Sequence, residues 1–191
     1  MGRVQTFETD VVVRAARAVF WQRGFEEASI PELEQATGLR RSSLYNTFGS
    51  KRGLFDAAVA SYLREVIAPR LRPLTEAPVG ADAVVDYLMG MRAGLDDPEA
   101  DAARHGCLLM NTAGAPVAME QAVGEAVAAY REELRRALAS GIAARHPEAG
   151  ERERGRLAEA VTALVTSAFA LTRVDNAAAL RSLDAALDLV D

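Results

Sequence analysis

The tightest constraint on this chain lies between Ser29 and Lys51. Ser29-Ile30-Pro31-Glu32 holds the residues of a capping box, with a glutamate three places after the serine and a proline in the first turn. The helix opened there runs only to about Ala36, because Thr37-Gly38-Leu39 makes a short turn with Gly38 best suited to positive φ. A second helix starts at once, near Arg41, and reaches Phe48. Two short helices joined by a glycine-containing turn form a helix-turn-helix. Gly24 precedes the pair and ends the helix before it.

The rest of the chain also reads as helix. Alanine, leucine, arginine and glutamate are good helix formers. Apolar residues recur at helical spacing, as at Val12, Ala16, Val19 and Phe20, and again from Val161 to Leu171. No run alternates convincingly with period two. The pattern predicts helices over residues 8–23, 30–36, 41–48, 51–68, 80–95, 99–114, 116–145, 152–174 and 176–190, with prolines at the joints.

Between the two apolar segments stands the polar stretch Arg40–Lys51. On the 41–48 helix, Leu44 and Phe48 fall four apart and anchor one face, leaving Arg41, Ser42, Tyr45 and Asn46 on the outer side. A narrow apolar stripe with a rim of donors suits the DNA major groove: arginine grips guanine O6 and N7, and small hydroxyls reach several base edges. Lys51, opening the next helix, adds its ammonium to exposed backbone N–H groups in favouring a phosphate. Ser29 offers a second phosphate position. A solvated loop between buried helices is the plainer alternative.

The charge distribution fits a polyanion partner for the N-terminal part. Residues 1–55 carry eight basic and six acidic side chains, net +2, and the remainder carries fourteen and twenty-one, net −7; together they make the −5 of the chain. At 50% hydrophobic and 26% charged, the chain is expected to be globular and soluble. It has no bilayer-length apolar run, and "MGRVQTFETD" lacks the apolar core of a signal peptide, so the expected address is cytoplasmic, with no membrane partner. One cysteine and two histidines make a poor metal inventory. No nucleophile elbow, phosphate-binding glycine loop or metal-spaced set is present, which argues against an enzyme and against a cofactor.

"AARAVFWQRGFEEASIPELEQATGLRRSSLYNTFGSKRGLF" resembles the DNA-binding domain of TetR-type transcriptional regulators over residues 10–57, with Gly24-Phe25, Ser29, Gly38-Leu39, Leu44-Tyr45, Phe48, Ser50-Lys51 and Leu54-Phe55 in register. The resemblance implies an all-α homodimer: a three-helix DNA-binding domain over residues 1–55, and a helical ligand-binding and dimerisation domain over 56–191. It implies a palindromic double-stranded operator and, most often, repression relieved by a small molecule. Carried over by residue, it puts Arg41, Ser42, Tyr45 and Thr47 at base edges. It puts Ser29, Ser43, Asn46 and Lys51 at phosphates. Three positions depart from the pattern. Ala28 replaces the usual threonine, Arg40 stands where a serine often caps the second helix and becomes an added phosphate candidate, and Glu34 replaces a small residue, with a carboxylate reaching either water or Arg41.

In the C-terminal part, "HGCLLMNTAG" (His105–Gly114) resembles a segment found in some members. One reading makes it a pocket wall, with Asn111 orienting the ligand and Cys107 sensing electrophiles; the other makes Cys107 a small buried hydrophobe. The candidate ligand residues are Tyr87, Met91, Cys107, Met110, Asn111 and Phe169, a lining that implies a mainly apolar effector of unknown identity. Residues 152–174 and 176–190 are the expected dimer helices. A helical adaptor that binds protein and neither DNA nor ligand is the rival function.

Overall fold

The computed structural model describes the backbone of residues 2–191 and the side chains of residues 9–191. Met1, in the expected 1–55 unit, and the Arg3 side chain, counted in its charge, lie outside the described residues. Among the described residues every regular element is helical. The elements are α1 (Gly2–Glu27), α2 (Ile30–Thr37), α3 (Arg41–Phe48), α4 (Lys51–Tyr62), α5 (Ala68–Thr75) and α6 (Ala83–Asp96). They continue as α7 (Asp101–His105), α8 (Leu108–Ala113), α9 (Gln121–Arg145), α10 (Glu151–Leu171) and α11 (Asn176–Val190). No described helix is long and apolar enough to cross a membrane.

The N-terminal core forms where α1 and α4 clasp the two short helices. Phe20 and Phe55 meet edge-on at 5.1 Å and Phe25 closes on Phe55 at 5.2 Å. Leu33 of α2 and Leu44 of α3 drop into the same core. Full burial of such side chains contributes about 1.5–3 kcal/mol each, and it fixes α2 against α1 and α3 against α4 and α2. At the other end of α1, Arg14 and Arg17 reach Glu65 at 2.9 and 3.0 Å. Hydrogen bonds from Arg14, and then from Arg64 and Arg17, pull the Glu65 carboxyl down to about 2.

Several expected boundaries differ. The first helix does not end at Gly24: α1 spans Gly2–Glu27, and Gly24 (φ 79, ψ 173) is a non-helical kink inside it. The helix from Lys51 does not stop near residue 68; it passes through a wide π turn, Leu63–Ile67, and continues as α5. Pro69 has no N–H to close on Glu65 and its ring crowds that carbonyl, and the widened turn just before it relieves both. The expected helix over 99–114 is broken at Gly106 (φ 69, ψ −142) and Cys107, giving α7 and α8. The break turns the Gly106 carbonyl out to accept the Trp21 Nε1–H at 3.0 Å. The expected 116–145 helix begins as a separate 3-10 turn, Pro116–Met119, before α9.

The remaining helices build a second core. α9 runs through its middle, packing against α5, α6, α8 and α10, while α11 lies between α6 and α10. Two further links join the halves. The Val117 N–H donates to Glu26 Oε1 at 2.8 Å, and Arg52 pairs with Glu120.

Candidate nucleic-acid interface and cavity

The sequence's capping box is formed. Ser29 Oγ accepts from the Glu32 N–H at 3.3 Å, and Glu32 Oε2 accepts from the Ser29 N–H at 2.9 Å and from its hydroxyl at 2.7 Å. Those bonds hold the Glu32 carboxyl below the usual carboxylate range. The Ser29 hydroxyl is therefore already engaged by Glu32, beside a carboxylate that repels a phosphate. At the far end of α2, Gly38 (φ 70, ψ 6) takes the left-handed conformation, and its N–H closes on Glu34 O. Thr37 Oγ1 donates to Leu33 O at 2.6 Å and accepts from the Leu39 N–H, which fixes the turn.

α3 begins without a side-chain cap from Arg40. Its cap comes from Glu34, whose Oε1 accepts the Arg41 N–H at 2.6 Å. Two departures from the family pattern thus offset one another: the carboxylate of α2 caps the helix that lacks the usual serine, and its charge complements the positive end of α3. Glu34→Ala is expected to lower stability by about 0.5–2 kcal/mol, the usual cost of losing a cap. Urea unfolding measures it, and an unchanged midpoint would remove this role.

The outer face of α3 carries Arg40, Arg41, Ser42, Ser43, Asn46 and Thr47, all exposed, with Tyr45 half-buried. The Arg41 guanidinium lies over the Tyr45 ring, 5.3 Å from its centroid, which limits its freedom before any partner arrives. Among the described residues Ser42, Ser43, Asn46 and Thr47 make no side-chain hydrogen bond. Lys51 packs over Phe25 at 4.8 Å and donates to Glu26 O at 3.3 Å. Burial lowers its pKa, against the pull of Glu26 and Glu32. Ser50 caps α4 by accepting the Gly53 N–H at 3.0 Å.

The junction of α3 and α4 is very close. A Cβ on Gly53 would stand 2.0 Å from the Phe48 carbonyl oxygen. In an ordinary helix Gly→Ala stabilises by about 0.5–1 kcal/mol. Here Gly53→Ala is expected to destabilise by about 1–3 kcal/mol, because the backbone must part. Urea unfolding gives the sign, and a stabilised variant would contradict the close approach.

The second half holds a cavity of about 660 Å³ between α5 and α6, closed by Ala102 of α7 and Phe169 of α10. Three sequence candidates, Tyr87, Met91 and Phe169, line it. Cys107, Met110 and Asn111 do not. Cys107 is fully buried, its thiol 3.7 Å from the Tyr130 hydroxyl. Asn111 donates its amide to His105 O at 2.6 Å, which secures the break between α7 and α8. Met110 packs against the core. Among the lining residues that sequence reasoning missed are Arg70, Asp86, Gly90 and Gly94. The last three share one face of α6 with Tyr87 and Met91 at helical spacing, a signal that could have found them.

Comparison with known proteins places this architecture. The family model of bacterial regulatory proteins of the tetR family matches residues 12–58, spanning most of α1 through α4. CifR, a TetR family transcriptional regulator solved as a cysteine mutant in complex with 26-bp double-strand operator DNA, aligns over 94% of both chains with 30% identity and a TM-score of 0.76. The chain belongs to the TetR family. Other relatives are matched over less. The uncharacterized HTH-type transcriptional regulator YezE of Bacillus subtilis is 39% identical over 114 residues, 59% of this chain and 57% of its own. The HTH-type transcriptional repressor ComR of Escherichia coli is 31% identical over 111 residues, 58% and 51% respectively. The chain spans about half the length of these two relatives. As in the TetR fold generally, the helix-turn-helix here is N-terminal and the larger helical part follows it.

Proposed function

We propose that this chain is a transcriptional repressor that binds a palindromic operator as a homodimer and leaves it when a small molecule enters the α5–α6 cavity. The observation that carries the reading is the CifR likeness across almost the whole of both chains, with CifR bound to operator DNA. Residues 1–55 act as the DNA-reading unit and 56–191 as the ligand and dimer unit. Arg41, Ser42, Tyr45 and Thr47 face base edges, while Arg40, Ser43, Asn46 and Lys51 take phosphates. Pairing through α10 and α11 follows the family likeness, and α11 carries one exposed large apolar residue among the described residues, Leu189. Two half-sites then lie about 34–36 Å apart, one helical turn of DNA.

The ties between the two halves support a route for release. Ala102 lines the cavity on α7, and α7 leads into Gly106, which holds Trp21 of α1. Arg70 lines the same cavity on the rod that begins at Lys51. A ligand that shifts either element alters the spacing of the two α3 helices, and linkage makes operator weaken ligand by the same factor.

The test is a gel shift with the DNA flanking the protein's own gene, together with sedimentation. A dimer on a site of dyad symmetry is expected; a monomer at micromolar concentration, or a site without symmetry, counts against it. Lys51→Ala is expected to weaken all duplexes alike and to lower the salt slope by about two per dimer, one for each phosphate no longer neutralised. An unchanged slope would take Lys51 off the phosphate.

A further inference from the structure

The α5–α6 cavity carries more information than its size. Its long wall is α6, and two of the residues on that wall, Gly90 and Gly94, lie inside a fourteen-residue helix. A glycine in a helix interior costs about 1 kcal/mol relative to alanine. A Cβ at either position would meet nothing within 4 Å, so packing does not require these glycines. What they leave is a groove, one helical turn long, floored by Met91 and Leu95 and closed by Phe169.

Charge in this cavity is arranged unevenly. Asp82 is paired with Arg145 at 3.0 Å. Among the described residues Arg70 makes no ion pair with Asp86 or any other carboxylate. The Tyr87 hydroxyl likewise has no hydrogen-bond partner among the described residues, and burial raises its pKa, so it stays a neutral donor. Cys107 adds to that rise and the Arg70 charge opposes it. Arg70 and Tyr87, neither with a polar side-chain partner among the described residues, both line the cavity, as does Asp86, which likewise has no ion pair among them.

We propose that the cavity takes an amphipathic organic acid, its carboxylate held by Arg70 and Tyr87 and its apolar body laid along Gly90 and Gly94. A cavity of 660 Å³ suits a molecule of this size, and a guanidinium presents a planar fork that matches a carboxylate. This inference rests on reading the cavity as the effector site, and the experiment separates the two.

The test uses the full chain without DNA, titrated by calorimetry with straight-chain acids from hexanoate to decanoate and with the matched alcohols and amines. The acids are expected to bind at least about tenfold more tightly than the alcohols, the worth of a hydrogen bond to a charged group. Arg70→Gln is expected to abolish that preference. Arg70 is exposed, and an unchanged melting temperature verifies that the variant folds. Gly94→Leu fills the groove and is expected to weaken every ligand. No binding by any acid, equal binding by alcohols, or an Arg70→Gln variant that still prefers acids would overturn the proposal. So would amines binding best, with the loss falling on Asp86→Asn. A gel shift on the flanking duplex with and without the tightest acid separates the two: if the acid binds as expected yet leaves operator affinity unchanged, the ligand assignment stands and the effector reading falls.

Discussion

Trp21→Ala is expected to destabilise the protein by about 3–5 kcal/mol, the range for removing a buried tryptophan or phenylalanine. Trp21 is 7% exposed, packs edge-on to Tyr62 at 5.0 Å, and donates its indole N–H to Gly106 O at 3.0 Å. The substitution leaves a cavity between the two cores and an orphaned carbonyl at the break between α7 and α8. Trp21→Phe keeps most of the ring and loses the donor, so about 1–3 kcal/mol is expected, the cost of a buried acceptor without a partner. Urea unfolding followed by circular dichroism measures both. Trp21 is the single tryptophan, so its fluorescence reports this junction in the unaltered protein. If Trp21→Phe cost nothing while Trp21→Ala cost the full amount, the indole would matter for volume alone, and the α7 route for release would lose its anchor.

The junction also marks where sequence reasoning stopped. Local signals were legible: Ser29 with Glu32, and Gly38 in its turn, are each decided within four residues, and the structure forms each as expected. The anchors of α3, Leu44 and Phe48, followed from helical spacing. What could not be read depends on partners far along the chain. The break at Gly106, a positive-φ glycine, presents its carbonyl to Trp21, 85 residues away, a pairing that no local pattern announces. Glu34 does reach Arg41, one of the two partners offered for it, but it does so as a cap on the backbone N–H seven residues on, which no cap pattern describes. The ligand candidates divided for the same reason. Cys107, Met110 and Asn111 rest on the resemblance of the His105–Gly114 segment to one found in some members, whereas much of the cavity is lined by one face of α6.

That α3 reads duplex DNA is the claim on which the rest depends, and Arg41 tests it most directly. Arg41 is exposed on α3, stacked on Tyr45, with its backbone N–H fixed by Glu34. A bidentate contact to a base contributes about 1–3 kcal/mol of discrimination, and a symmetric dimer makes it twice, so about 2–6 kcal/mol is expected from Arg41→Ala. The measurement is fluorescence anisotropy at one fixed salt concentration, with the duplex that flanks the gene and a scrambled duplex of equal length. The expected result is tight binding of the first by the unaltered protein, a loss of that magnitude in Arg41→Ala, and little change on scrambled DNA. Equal weakening on both duplexes, or no preference between them in the unaltered protein, would contradict the account.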